Sequence, residues 1–146
     1  MNVKQLSLFL ENKPAHLKVP CQVLAKEGIN ILTLSLADTD QFGILRIIVN
    51  DWQRAVDALE KTGHVVKVTD VLAVEVEDRP GGLVDLLEII DEANLNIDYM
   101  YAFTFGQANR ATMVFRFRDP DSAIRALEAK GVNVLNTVAL ADRTVH

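Results

Sequence analysis

Cysteine is nearly absent: Cys21 stands alone in 146 residues, so no intrachain disulfide can form and no CxxC metal or redox pair exists. Long apolar runs are absent as well, and none approaches the roughly 18 residues that a membrane span requires. The opening stretch, Met1 to Leu10, is too short and too alternating for the core of a signal peptide. Together these absences predict a cytoplasmic protein with no membrane partner. Clustered basic charge is missing too. A formal charge of −5 and a sequence pI near 5.1, with Lys and Arg scattered along the chain, exclude the electrostatic footprint of a nucleic-acid binder.

Apolar material is plentiful. At 49% hydrophobic residues, many of them Val, Leu and Ile, against 24% charged, the chain can bury a core and is not of disordered composition. The sequence is also written twice. An offset of 66 positions lays Leu8-Phe9-Leu10-Glu11-Asn12-Lys13-Pro14 on Val74-Glu75-Val76-Glu77-Asp78-Arg79-Pro80, and Leu17 on Leu83. The same offset lays Gly28-Ile29-Asn30-Ile31 on Asn94-Leu95-Asn96-Ile97. After a slip of two residues Ala55 to Glu60 meets Ala123 to Glu128, and Gly63 meets Gly131. A repeat of this size means duplicated domains, here residues 1–70 and 71–146, and not a solenoid of shorter units. Each half is small enough to gain from packing on the other half or on another chain, so a homodimer is expected.

Local signals order the elements inside one copy. Leu6, Leu8 and Leu10 alternate with Gln5, Ser7 and Phe9, which predicts a strand over residues 3–10 with one face in the core. A helix is expected from Pro14 to Lys26, with Pro14 at its first position, Gly28 as its stop, and a kink or irregular first turn at Pro20. Two strands, 29–37 and 44–49, flank a turn-rich link that suits a hairpin. Asp51 then caps a helix on which Trp52, Ala55, Val56 and Leu59 share a face; Gly63 closes it, and Asp119-Pro120 repeats the cap. The last strand, 65–71, runs straight into the second copy. The order βαββαβ, twice, predicts an α+β fold of two split βαβ units, each an antiparallel sheet with its helices on one face.

The link between first strand and first helix is the candidate binding element. In Glu77-Asp78-Arg79-Pro80-Gly81-Gly82-Leu83, Pro80 presets the backbone, and two glycines remove the Cβ atoms that would hold a ligand off the main chain. Helix-start N–H groups and the helix dipole suit a carboxylate. Glu77 and Asp78 alongside could take an ammonium group, or simply cap the helix.

That loop, D-x-P-G-x-L at Asp78 to Leu83, followed by Asn94-Leu95-Asn96-Ile97-Asp98, resembles the ACT domain, a ferredoxin-like βαββαβ unit. The first copy resembles it at Asn12-Lys13-Pro14, Leu17 and Gly28-Ile29-Asn30-Ile31, and departs at Ala15-His16, where the glycine is replaced. The resemblance covers nearly the whole chain and implies a non-catalytic regulatory protein that binds a free amino acid at the interface of such domains. Carried over by position, it implies Asn12, Ala15, His16 and Leu17 in the first loop and Asp78, Gly81, Gly82 and Leu83 in the second. It adds the strand-two residues Ile31, Leu32, Thr33, Asp98, Tyr99 and Met100. No cofactor, metal ligand or catalytic residue is implied; an enzyme of amino-acid metabolism is the partner class that the resemblance suggests, since length leaves no room here for a catalytic domain.

Each of these residues also has a plainer reading. Asp98, Tyr99 and Met100 suit ordinary sheet packing, where alternation lets at most one set face a given site. His16 suits a surface helix start, Asn30 and Asn96 suit turns, Cys21 a small core position, Trp52 a packing anchor, and Arg110, Arg116 and Arg118 an exposed strand face. Two other function classes stand beside amino-acid binding. An interaction module would use the loops only as caps, and tolerance of Gly82→Val would mark it. A small enzyme on the same scaffold, acylphosphatase-like, would want an Arg in the loop and a water-orienting Asn; Arg79 and Asn96 exist, but no nucleophile with its base stands out. An RNA-recognition reading of the same element order finds no aromatic strand motif and no basic face.

Overall fold

Apolar alternation builds the first strand as the sequence predicts, and the computed structural model, which describes residues 2–38, 41–103 and 109–144, places β1 at Val3–Glu11. There follow α1 (Lys18–Lys26), β2 (Ile31–Asp38), β3 (Phe42–Val49), α2 (Trp52–Lys61) and β4 (Val66–Glu77). The second half gives α3 (Gly82–Glu92), β5 (Ile97–Ala102), β6 (Arg110–Phe117), α4 (Pro120–Ala129), β7 (Val134–Leu135) and α5 (Thr137–Thr144). Contacts divide the chain into two compact units. One is Lys4–Thr69; the other runs from Asp70 onward and includes the first residues of the chain.

In the first unit β3 lies between β2 and β1, antiparallel to both, with Leu6 opposite Ile47 and Leu8 opposite Leu45. Opposed residues point to the same face of a sheet, so Leu6, Leu8, Leu10, Leu45, Ile47 and Val49 form one apolar sheet face. Leu24 of α1 and Ala55 and Leu59 of α2 join them in a single core. Each leucine buried completely here stabilises the unit by about 2 kcal/mol relative to exposure. Trp52 and Val56 pack against the same cluster, as does Val66 at the start of β4.

In the second unit β6 lies between β5 and β4, again antiparallel, and β7 pairs with the other side of β4 through Ala73 opposite Leu135 and Val74 opposite Val134. The core repeats position for position: Leu72, Val74 and Val76 replace Leu6, Leu8 and Leu10, Phe115 and Phe117 replace Ile47 and Val49, and Ala123 and Leu127 replace Ala55 and Leu59. The Phe115 and Phe117 rings stack with centroids 5.7 Å apart. The caps repeat too. A carboxylate oxygen of Asp51 accepts the Arg54 N–H at 3.3 Å, and one of Asp119 accepts the Ser122 N–H at 3.2 Å with Pro120 opening the helix. Gly63 and Gly131 follow their helices with φ of +86° and +77°.

The structure corrects the expected first helix, which begins at Lys18 and not at Pro14. Ala15 holds φ +69°, a left-handed conformation that no α-helix can include. The late start, after turns at residues 14–17, puts Pro20 in the first turn, where its missing N–H costs the helix little; of the two outcomes expected at Pro20, the structure shows the irregular start. Cys21 is half-buried on this helix and not in the core, and burial raises its thiol pKa. Helix α5, which the sequence reading does not include, packs beside β7 and buries Leu140 completely.

Candidate functional site

The two strand-to-helix loops are the same structure built from different residues. In the first, the Asn12 N–H donates to the Gln41 carbonyl at 2.9 Å, Lys13 N–H to Glu11 at 2.9 Å and His16 N–H to Lys13 at 3.2 Å. In the second, Asp78 N–H donates to the Asn109 carbonyl at 2.8 Å, Arg79 N–H to Glu77 at 3.1 Å and Gly82 N–H to Arg79 at 3.0 Å. Ala15 occupies the left-handed position that Gly81 fills at φ +86°. The replaced glycine therefore costs the first loop strain, and the turn survives.

Gly82 has a structural reason of its own. A Cβ on it would collide with the Glu77 carbonyl oxygen, so the chain itself excludes a side chain there. Gly82→Val consequently disrupts the loop whether or not a ligand binds, and it cannot separate a binding protein from an interaction module. The amides of Asp78, Arg79 and Gly82 are spent on the loop's own geometry. Among the described residues, those of Gly81, Leu83 and Val84 donate to no main-chain carbonyl and remain for a carboxylate.

Beside each loop lies a hollow, and the two hollows occupy equivalent places. The first, of about 440 Å³, is lined by Phe9, Leu10, Glu11, Lys13, Pro14, Ala15, His16, Val19, Gly63 and His64. The second, of about 220 Å³, is lined by Glu75, Val76, Glu77, Arg79, Gly82, Asp85, Leu86, Ile89, Arg110, Gly131, Val132 and Asn133. In both, the end of the first strand, the loop, the first helix and the glycine turn before the last strand supply the walls.

An acid and a base stand together in each. Glu11 and Lys13 approach to 3.6 Å, with both side chains about two-thirds exposed. At the matching positions Arg79 is clamped from two sides, its Nε on Glu77 and an Nη on Asp85, both at 2.5 Å. Those hydrogen bonds, Glu77 first and Asp85 second, raise the Arg79 pKa above its ordinary value. The Asn133 amide donates to Glu75 at 2.5 Å.

In the first hollow the His16 ring faces the Lys13 carbonyl at 2.6 Å. A carbonyl only accepts, so Nδ1 carries the proton. The Thr62 hydroxyl lies 2.9 Å from the Leu59 carbonyl and 3.0 Å from His64 Nδ1.

Of the residues expected from sequence, Ala15 and His16 line the first hollow and Gly82 the second. Asp78 lines a separate depression with Glu77, Arg79, Asn109 and Arg110, while Asn12, Leu17, Gly81 and Leu83 belong to the loops without lining either hollow. The strand-two residues lie outside both. Ile31 and Met100 pack against the two cores, Thr33 is buried opposite Ile48, and Leu32 sits at the bulge in β2. Asp98 accepts from the Asn96 amide at 3.3 Å and faces Arg118 at 3.9 Å, and Tyr99 stands opposite Arg116, whose guanidinium donates to the Asp70 carbonyl at 2.9 Å.

Sequence reasoning missed Lys13, Val19, His64 and Asp85 as wall residues. The offset pairs Lys13 with Arg79 and Val19 with Asp85, so that signal was present. His64 and the glycine turns reach the hollows only through the fold.

Comparison with known proteins agrees with this architecture. The family model described as an ACT domain pair matches residues 1–143. A crystal structure of a protein from Bacteroides thetaiotaomicron is 39% identical, superposes with a TM-score of 0.90, and the match covers 96% of each chain. The regulatory subunit of aspartate kinase from Thermus thermophilus shares the fold at 17% identity and a TM-score of 0.65, over 88% of this chain and 93% of that one. No curated protein sequence matches the chain.

Proposed function

The chain belongs to the ACT domain pair family, and on that premise we propose that it is a non-catalytic regulatory protein that binds a free α-amino acid beside its strand-to-helix loops. The observation that carries the reading is the repeated hollow with an acid and a base at matching positions, Glu11 with Lys13 and Glu77 with Arg79. A zwitterion needs one group of each sign within a few ångströms, and the helix-start amides add donors for its carboxylate.

Catalysis has no comparable support. Among the described residues, neither hollow is lined by a serine, threonine or cysteine. The pair that an acylphosphatase-like reaction would use is engaged elsewhere, Arg79 with Glu77 and Asp85 and Asn96 with Asp98. The strand-two residues Ile31 to Thr33 and Asp98 to Met100 would serve a ligand held by the loop of a second copy of the chain. A homodimer also suits the exposed Leu34 and Leu36 of β2, which remain apolar surface otherwise. The output passes from such a dimer to a partner, for which an enzyme of amino-acid metabolism is the proposed class.

Equilibrium dialysis of the folded protein against each natural amino acid tests the reading. Saturable uptake of at least one is expected. Uptake of none at millimolar concentration would replace it with an interaction module.

A further inference from the structure

The two hollows share walls but not chemistry, and three matched positions carry the difference. Where the second unit has Asp85, which clamps Arg79 at 2.5 Å, the first has Val19, so Lys13 meets only Glu11, at 3.6 Å. Where the second has Glu75, held by Asn133, the first has Phe9, 63% exposed and on the wall of the hollow. His64 in the first stands where Val132 stands in the second. The first hollow is also the larger, about 440 Å³ against about 220 Å³.

We infer that of the two equivalent hollows the first is the ligand site, and that its ligand is an α-amino acid with an apolar side chain. The inference rests on the amino-acid reading above and adds to it the site and the ligand class. Lys13 swings to the carboxylate and Glu11 to the ammonium group; both chains are mobile enough to do so, since neither is held by a second partner of opposite charge among the described residues. The side chain then lies against Phe9, Pro14 and Val19, where its burial removes apolar surface of ligand and protein from water together.

In the second hollow a ligand carboxylate would have to displace two carboxylates already paired with Arg79 in charge-assisted bonds. An apolar side chain would there face Glu75 and Asp85. The basic group beside the loop that carries the glycines is thus already paired twice, and the one beside the loop that lacks them is open.

Isothermal titration of the full chain tests this. The probes are L-valine, L-leucine, L-isoleucine, L-methionine and L-phenylalanine, with L-lysine, L-aspartate and L-serine as the polar set. At least one apolar probe should bind with one molecule per chain, and both Lys13→Ala and Val19→Asp should weaken it at least tenfold. Val19 and Lys13 are exposed, so the fold tolerates both changes. Binding by the polar set alone, two molecules per chain, or affinity unaltered by both substitutions would overturn the inference while leaving the amino-acid reading in place. Binding of none of the apolar probes would overturn the inference, and uptake of no natural amino acid in the dialysis described above would overturn both.

Discussion

Ala15 has a Cβ in a backbone region, φ +69°, that costs an L-residue about 1–2 kcal/mol. Its counterpart Gly81 adopts the same turn at φ +86° without that cost. Ala15→Gly should therefore raise the unfolding free energy by about 0.5–1 kcal/mol, the strain relieved less the entropy a glycine adds to the unfolded chain. Urea denaturation reads the difference. A loss of stability would contradict the left-handed assignment. At this scale the sequence was informative about identity and silent about cause: the glycine missing at position 15 was visible, but only coordinates show that the turn is kept, and that Gly82 is demanded by the Glu77 carbonyl and not by a ligand.

The elements were mostly legible because their punctuation is chemical. Asp51 and Asp119 cap as their positions predict, and both helices end at glycines of positive φ. Hydrogen bonds from the Ser122 hydroxyl and N–H lower the Asp119 pKa below the ordinary carboxylate value. A depressed folded-state pKa stabilises the protein above the unfolded value, near 3.9, and that stabilisation is lost as pH falls through the lower one. Asp119→Asn keeps a capping oxygen but cannot titrate. The stability advantage of the unsubstituted chain over the Asp119→Asn variant should shrink from about pH 5 to about pH 2 in thermal melts; a difference constant across that range would contradict the cap. The start of α1 was misplaced because Pro14 suits a first helical position in isolation, and the left-handed residue that follows it has no sequence signature when it is alanine. Helix α5 has no counterpart in the first copy, so the repeat carries no signal for it.

For the whole molecule, the duplication made the fold readable. Two cores agree at matched positions, Leu6 with Leu72, Leu59 with Leu127, so each half corroborates the other. The sites were less readable for the same reason. Matching by family position emphasised the loop with glycines, whereas the open hollow belongs to the copy that departs from the pattern, and its walls come from two segments distant in sequence, residues 9–19 and 63–64. Arg79 on the wall of the hollow next to the glycine loop is already paired with Glu77 and Asp85, a property of side-chain geometry that no spacing rule conveys.

The most direct test of the central claim is thermal unfolding of the purified chain against each natural amino acid in turn. A ligand present at about 100 times its dissociation constant stabilises the native state by roughly 2.7 kcal/mol. For a protein of this length the midpoint should rise by about 5–10 °C. Such a rise is expected for at least one amino acid with an apolar side chain, with little change for charged ones. Flat midpoints across all of them at millimolar concentration would contradict it.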